Sequence, residues 1–380
     1  MKIWPLIVFI GLIYSPLSIA DNRISVVFIN PGQSDSNHAT GGFWSSVTRF
    51  MKAASDDLNI DLEVLYAERN HFRLSKLVRE IGERETKPDY IILVNEKGQG
   101  GIQLEEAISS NIKTMFILNT LSSKHDIERY GKPRATEPNW IGSLIPDNYL
   151  AGYMGALSML NAASKSETPS NEKIQAIGIA GDHITPAAVL RNDGFKKAIS
   201  EKSTAVTLRQ VVVGDWSEEI AMEKTMGLLS RYPKISAVWS ANDPMALGAI
   251  SAAKSMGRKP GQDIFFSGLN WGPKALKAIQ NGELVSSIGG HFMTGGWALV
   301  LLYDYHNGID FGDKDASVTM QIFDKIDICN VDTYLSAFGA QNWDKIDFTR
   351  FSKSLNPELK EYPFSLQGIF DYGLRTATKP

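Results

Sequence analysis

The chain has a single cysteine, Cys329, among 380 residues. It can close no internal disulfide, so an oxidising compartment adds nothing covalent to its stability. Histidine is also scarce. The six present sit at no spacing that gathers metal ligands, and no metal site is expected. There is no Gly-x-Ser-x-Gly elbow, no Walker loop and no His-Glu-x-x-His. The commonest signatures of serine hydrolases, nucleotide hydrolysis and zinc proteolysis are therefore missing. Neither sign of charge dominates: 39 basic residues face 42 acidic ones, for a net charge of −3. That balance argues against a nucleic-acid partner. Long apolar runs are absent beyond the N-terminus, so the rest of the chain is read as a globular protein long enough for two domains.

At the N-terminus, Lys2 precedes the apolar run Leu6 to Ile13, and Ser18-Ile19-Ala20 offers small residues for cleavage before Asp21. The run is too short to span a bilayer as a mature helix, and residues 1–20 read as a cleavable secretory signal peptide. No cysteine follows it to carry a lipid. Losing Lys2 moves the formal charge from −3 to −4, leaving a mildly acidic mature protein.

After it, strand and helix patterns alternate. Ile24–Ile29, Leu62–Tyr66, Tyr90–Val94 and Lys113–Leu118 are short β-rich runs. Between them lie helical spacings at about 43–57, 71–85 and 104–109. The pattern restarts at Trp140, with strands at Ile174–Ala180, Thr207–Val213, Ile235–Trp239 and Asp263–Ser267. Its helices fall at about 149–162, from Pro186, at 218–231 and at 245–256. Strands separated by amphipathic helices give a parallel sheet covered on both faces. Two such halves in tandem predict an α/β protein of two doubly wound parallel-sheet lobes, with a ligand cleft between them.

The most informative stretch is Trp239-Ser-Ala-Asn-Asp-Pro-Met-Ala-Leu-Gly248. A strand runs into Asn242-Asp243, and Pro244 fits the first helical position with Asp243 as the cap. With it come Asn30-Pro31, Phe43-Trp44, Asn95, Asp147-Asn148, Arg191-x-x-Gly194-Phe195 and Gly268-Leu269-Asn270, each at a strand or helix end. In this order they resemble the type I periplasmic binding proteins of the ribose and galactose class, over roughly residues 22 to 325. The resemblance implies a three-segment hinge. It gives an N-terminal lobe of 21–122 plus 291–316 and a C-terminal lobe of 123–290 plus 317–330. Residues 331–380 exceed what that fold needs. Their aromatic load argues against disorder, and they are expected to pack on one lobe.

The candidate ligand residues are Asn30, Phe43, Trp44, Asn95, Asn119, Arg191, Trp216, Asn242, Asn270 and His291. Aromatic rings at 43, 44 and 216 suit the C–H faces of a sugar, or else serve as core. Of Phe43 and Trp44, one is expected in each role. Asparagines after strands donate to and accept from hydroxyls, or cap the next helix. The Arg191 fork suits adjacent hydroxyls or a carboxylate, or a surface ion pair. His291 stands where the family often has glutamine, and Asn119 and Asn270 where it often has aspartate. Those departures make acceptor-rich ligands such as sugar acids plausible. The resemblance implies a monomeric, periplasmic, non-enzymatic receptor without cofactor or metal. It would hand a hydroxylated ligand to an ABC permease or, as in the autoinducer receptors of this fold, to a membrane sensor. Repressors of the same fold need an N-terminal DNA-binding helix-turn-helix, and a signal peptide stands there instead.

Overall fold

The computed structural model describes residues 23–35, 41–166, 173–312 and 316–375. The signal peptide expected over 1–20 lies outside the described residues, as do parts of the Gln33–Gly42 loop and of the tail. Elements are numbered in chain order. One sheet comprises β1 (Ser25–Asn30), β2 (Asp61–Tyr66), β3 (Tyr90–Leu93), β4 (Lys113–Ile117), β5 (Trp140–Pro146) and β11 (Ser317–Met320), in the order β11-β5-β4-β3-β1-β2. The other comprises β6 (Ile174–Ala180), β7 (Val206–Val213), β8 (Ile235–Ser240), β9 (Phe265–Leu269), β10 (Ser286–Gly289) and β12 (Asp324–Asp327), in the order β12-β10-β9-β8-β6-β7. The two sheets are wound identically. All pairs are parallel except β12, which lies antiparallel on β10.

Strand β1 shows why Val26 to Ile29 are all apolar. Val26 and Phe28 join one core, with α1 (Gly41–Asp57) and α10 (Thr294–His306). Val27 and Ile29 join another, with α2 (His71–Gly82) and α3 (Gly100–Ser109). A strand covered on both faces has no polar side to show. The second sheet is covered in the same way by α5 (Asn148–Ala163), α6 (Pro186–Glu201), α7 (Glu218–Arg231), α8 (Asp243–Ser255) and α9 (Pro273–Gln280).

Three crossings join the lobes, the second at the expected place near His291 and the other two away from the expected boundaries. Strand β5 pairs with β4, and β11 with β5, so 140–146 and 317–320 belong to the first sheet. The chain crosses between Pro146 and Asn148, between Gly289 and α10, and between Met320 and Asp324. Boundaries at 122/123 and 316/317 are thus corrected. The apolar run at Trp140 looks like the start of a repeat but is the fifth strand of the first lobe.

The C-terminal extension is also not confined to one lobe. Helix α11 (Val331–Phe338) packs on α9 of the second lobe, while the turn Trp343–Lys345 and the segment Phe348–Phe351 pack on α1 of the first. The chain therefore crosses a fourth time, at 339–342. The first-lobe anchor is Asp304 of α10, fully buried. It accepts bonds from the Ser352 and Ser354 hydroxyls, the Lys353 and Ser354 backbone N–H groups and the Tyr362 hydroxyl.

Candidate functional site

Between the lobes lies a cavity of about 150 Å³. Every wall comes from the carboxyl end of a strand, where ligands sit in open parallel sheets. Gly42, Phe43, Trp44 and Ser46 come from the start of α1, Arg69 follows β2, Glu96 follows β3, and Leu118 and Asn119 follow β4. The second lobe contributes Thr185, Ala187 and Arg191 from the β6–α6 connection, Trp216 after β7, Asn242 to Pro244 after β8, and Asn270 after β9. His291 lines the cavity from the second crossing.

The lobes are closed on one another. The Ala187 backbone N–H donates to Asn119 Oδ1 across the cleft at 3.0 Å, and Lys97 meets Asp215 at 3.4 Å. Arg69, Leu118, Trp216 and Asn270 line the cavity with positive φ of 59°, 64°, 63° and 138°. Non-glycine residues held there cost energy, and they gather where the surroundings fix a functional geometry.

Arg191 is placed by its own motif. A Cβ at Gly194 would run into the Tyr149 carbonyl oxygen, and one at Gly152 into that of Arg191, so only glycines allow α5 and α6 to cross this closely. Phe195 stacks on Trp239, centroids 4.7 Å apart. The buried guanidinium donates from Nε to Asn148 Oδ1 at 2.8 Å and from Nη1 to the Ala241 carbonyl at 3.0 Å. It sits 5.9 Å from the rings of Trp216 and Phe323. Burial works against its charge and brings it down to about 9, still cationic at neutral pH.

Asp243 is the group that sequence reasoning treated only as a cap. The cap is Asn242, whose Oδ1 accepts from the Met245 N–H at 2.9 Å. Asp243, wholly buried, accepts from the Gly272 N–H at 2.7 Å and the Ser287 hydroxyl at 2.8 Å. Burial pushes its carboxyl up to about 7, against those bonds and the nearby Arg191. Arg69 and Glu96 form an ion pair on the first lobe, at 2.9 Å. Two arginines and two carboxylates thus face the cavity.

Eight of the ten expected residues line the cavity: Phe43, Trp44, Asn119, Arg191, Trp216, Asn242, Asn270 and His291. Trp44 is buried in the core and Phe43 is half-buried, and both reach the wall. Trp216 donates from Nε1 to Asp182 at 2.9 Å, which fixes its ring. His291 stacks on Phe43, with centroids 4.6 Å apart, and burial holds it well below its usual range, hence neutral. Asn30 and Asn95 are corrections, since neither lines the cavity. Asn30 spends its amide on Thr48, the Trp44 carbonyl and the Gly32 N–H. Asn95 spends its own on the Thr120 carbonyl, Ser122 and the Gly100 N–H. Asn242 lines the wall but is half-spent, its Nδ2 donating to the Trp216 carbonyl. Asp147 caps α5 through the Leu150 N–H. Arg69 and Glu96 were missed although they follow strands β2 and β3, the same signal that pointed to Asn95.

Among the described residues no group of three or more His, Cys, Asp or Glu side chains could hold a metal ion, and no helix is long and apolar enough to cross a membrane.

Residues 36–309 match the model of a family described as periplasmic binding protein domain. The chain is 26% identical to the ribose import binding protein of Salmonella typhimurium over 247 residues, 65% of this chain and 74% of that protein. It is 32% identical over 250 residues to the galactofuranose-binding protein of Escherichia coli, 65% of this chain and 73% of that one. A crystal structure of a periplasmic sugar-binding protein from Pseudomonas fluorescens superposes with a TM-score of 0.80 at 37% identity, covering 91% of this chain and 99% of that one.

Proposed function

The chain belongs to the periplasmic binding protein domain family, and on that premise we propose that it captures one neutral monosaccharide between its lobes and delivers it to a membrane permease of the ABC class. The observation that carries this reading is the cavity itself: two-sided, aromatic on both walls and lined by hydrogen-bonding groups of both kinds. A space of about 150 Å³ takes one six-membered ring. Phe43 and Trp216 supply apolar faces for the C–H side of a sugar. Arg191, Asn119 and Asn270 supply donors, and Glu96 and Asp243 supply the acceptors that the asparagines at 119 and 270 lack.

The carboxyl groups of Glu96 and Asp243 in the cavity wall also revise the expected ligand class. An anionic sugar would be buried beside both of them, which costs several kcal/mol by order of magnitude unless its charge pairs with Arg191. A neutral pentose or hexose costs nothing of the kind. Binding rather than catalysis is the favoured role, because the relatives are named as sugar-binding proteins. Delivery to a permease is favoured over a sensing partner because the ribose-binding relative acts in import. We further propose that the chain is exported with residues 1–20 removed, works in the periplasm as a monomer and binds no nucleic acid.

Thermal-shift screening of neutral monosaccharides, sugar acids and disaccharides tests the reading. A ligand that binds only the folded state raises the midpoint. A neutral monosaccharide should do so; a panel in which only acids or disaccharides shift it would overturn the reading.

A further inference from the structure

The extension does more than cover a lobe. Six buried aromatic rings form a closed circuit across the hinge. Phe50 of α1 meets Trp343 at 5.3 Å, Trp343 meets Phe338 at 5.1 Å, and Phe338 meets Tyr334 at 6.0 Å. Tyr334 meets Trp271 at 5.2 Å, Trp271 meets Phe292 at 6.4 Å, and Phe292 returns to Phe50 at 5.7 Å. Trp343 also lies 5.2 Å from Phe292. Phe50 belongs to the first lobe, Trp271 to the second and Phe292 to a crossing; the extension supplies the other three rings.

Each fixed ring adjoins the cavity. Phe292 follows His291, Trp271 follows Asn270, and Phe50 lies one helical turn beyond Ser46. Gln341, within the fourth crossing, bonds Ser46 directly at 3.2 Å. Both ends of the crossing are tied down. On the second lobe, Asp332 of α11 accepts from Gln280 at 2.7 Å. On the first, Asp57 accepts from the Phe348 N–H at 2.8 Å and pairs with Arg375. The Asp304 cluster holds the rest.

We propose that this circuit is a clasp: the fourth crossing limits how far the lobes open and holds His291, Asn270 and the start of α1 in their ligand-binding positions. The inference rests on lobe closure as the working motion. Swinging the lobes apart must separate Trp343 from Phe338 or from Phe50, because 339–342 is too short to pay out slack. The lobes then stay near the closed geometry without ligand, and less of the binding energy is spent on closing them.

The test lengthens the crossing without removing any ring. Inserting Gly-Ser-Gly-Ser between the exposed Ala340 and Gln341 adds roughly 13–14 Å of reach. Phe338→Ala is the second variant, cutting the circuit at one ring. Small-angle scattering of the sugar-free mature protein should give a larger radius of gyration for both variants than for the parent. The affinity of whichever of D-ribose, L-arabinose and D-galactose binds the parent should fall by roughly fivefold or more. If the parent contracts on sugar but the insertion variant matches it in radius and affinity, the clasp is overturned and lobe closure stands. If sugar leaves the parent's radius unchanged while the insertion variant is larger without sugar and contracts on binding it, the clasp is what holds the parent closed; if sugar contracts neither protein, lobe closure is overturned.

Discussion

Asn119 on one lobe accepts a hydrogen bond from the backbone N–H of Ala187 on the other, at 3.0 Å across the ligand cavity. Both atoms are buried in the closed form and both can reach water when the lobes part. The bond is therefore a contact of the closed state alone, made by a residue whose Nδ2 remains available to a ligand. Asn119→Ala should leave the Ala187 N–H unpaired on closure, a penalty of about 1–3 kcal/mol. Titration calorimetry should show weaker sugar binding. Equal affinity would mean that the cleft closes differently.

Arg191 has two tasks, and its removal should report both. Arg191→Ala abolishes sugar binding, since each charge-assisted bond lost costs about 1.5–3 kcal/mol. It also strips Asn148 Oδ1 and the Ala241 carbonyl of their donor, so some stability is lost as well. The protein should still show a cooperative unfolding transition. Retained affinity would remove Arg191 from the site.

The opposing rings give an optical test. Trp216 lines the cavity beside the Arg191 guanidinium, so sugar binding should quench or shift tryptophan fluorescence. Trp216→Ala should weaken binding by about 1.5–3 kcal/mol, the scale of one large buried side chain. If the variant binds as tightly as the parent, the ring serves packing and not the ligand.

Asp243 predicts a pH dependence of stability. Its carboxyl titrates near 7 when folded against an ordinary 3.8. Between those values the folded protein holds a proton that the unfolded chain has released. Stability from this group is therefore greatest at low pH and declines as pH rises from about 4 to 7, by at most about 1.4 kcal/mol per unit. Denaturation of Asp243→Asn should lack that component. If parent and variant run parallel across the window, Asp243 is ionised throughout.

Asp304 anchors the extension with five donors and no cation. Asp304→Ala orphans them together and should cost about 3–5 kcal/mol of folding free energy, the range for breaking a buried charged cluster. Asp304→Asn keeps one acceptor oxygen and should fall between parent and alanine variant in denaturant titration. A loss under about 1 kcal/mol would mean that water replaces the carboxylate.

Strands buried on both faces announced themselves as mostly apolar runs, and β1, β6 and β8 fall within a residue or two of their expected limits. The short strands β10, β11 and β12 and the helices at 124–130 and 273–280 carry too few residues for a period to show. The boundaries at 122/123 and 316/317 were misplaced for a related reason: strand pairing, not strand identity, decides which lobe owns β5 and β11. Among the cavity residues, the aromatics and Asn270 were legible because they lie next to strand or helix ends, and Arg191 through its Arg-x-x-Gly-Phe motif. Asn30 and Asn95 end strands too, but an amide satisfied by its own loop is indistinguishable in sequence from one left free for a ligand. Asp243 was hidden by a neighbour with equal capping ability, and the fourth crossing by a tail whose aromatics have no regular spacing.

The most direct test of the central claim is the crystal structure of the mature protein with its best-binding monosaccharide. The account predicts one sugar in the interlobe cavity, its ring between Phe43 and Trp216, with hydroxyls in hydrogen-bonding distance of Arg191 and Asp243. Sugar bound at any other surface, or a cleft that stays empty beside a saturating ligand, would contradict it.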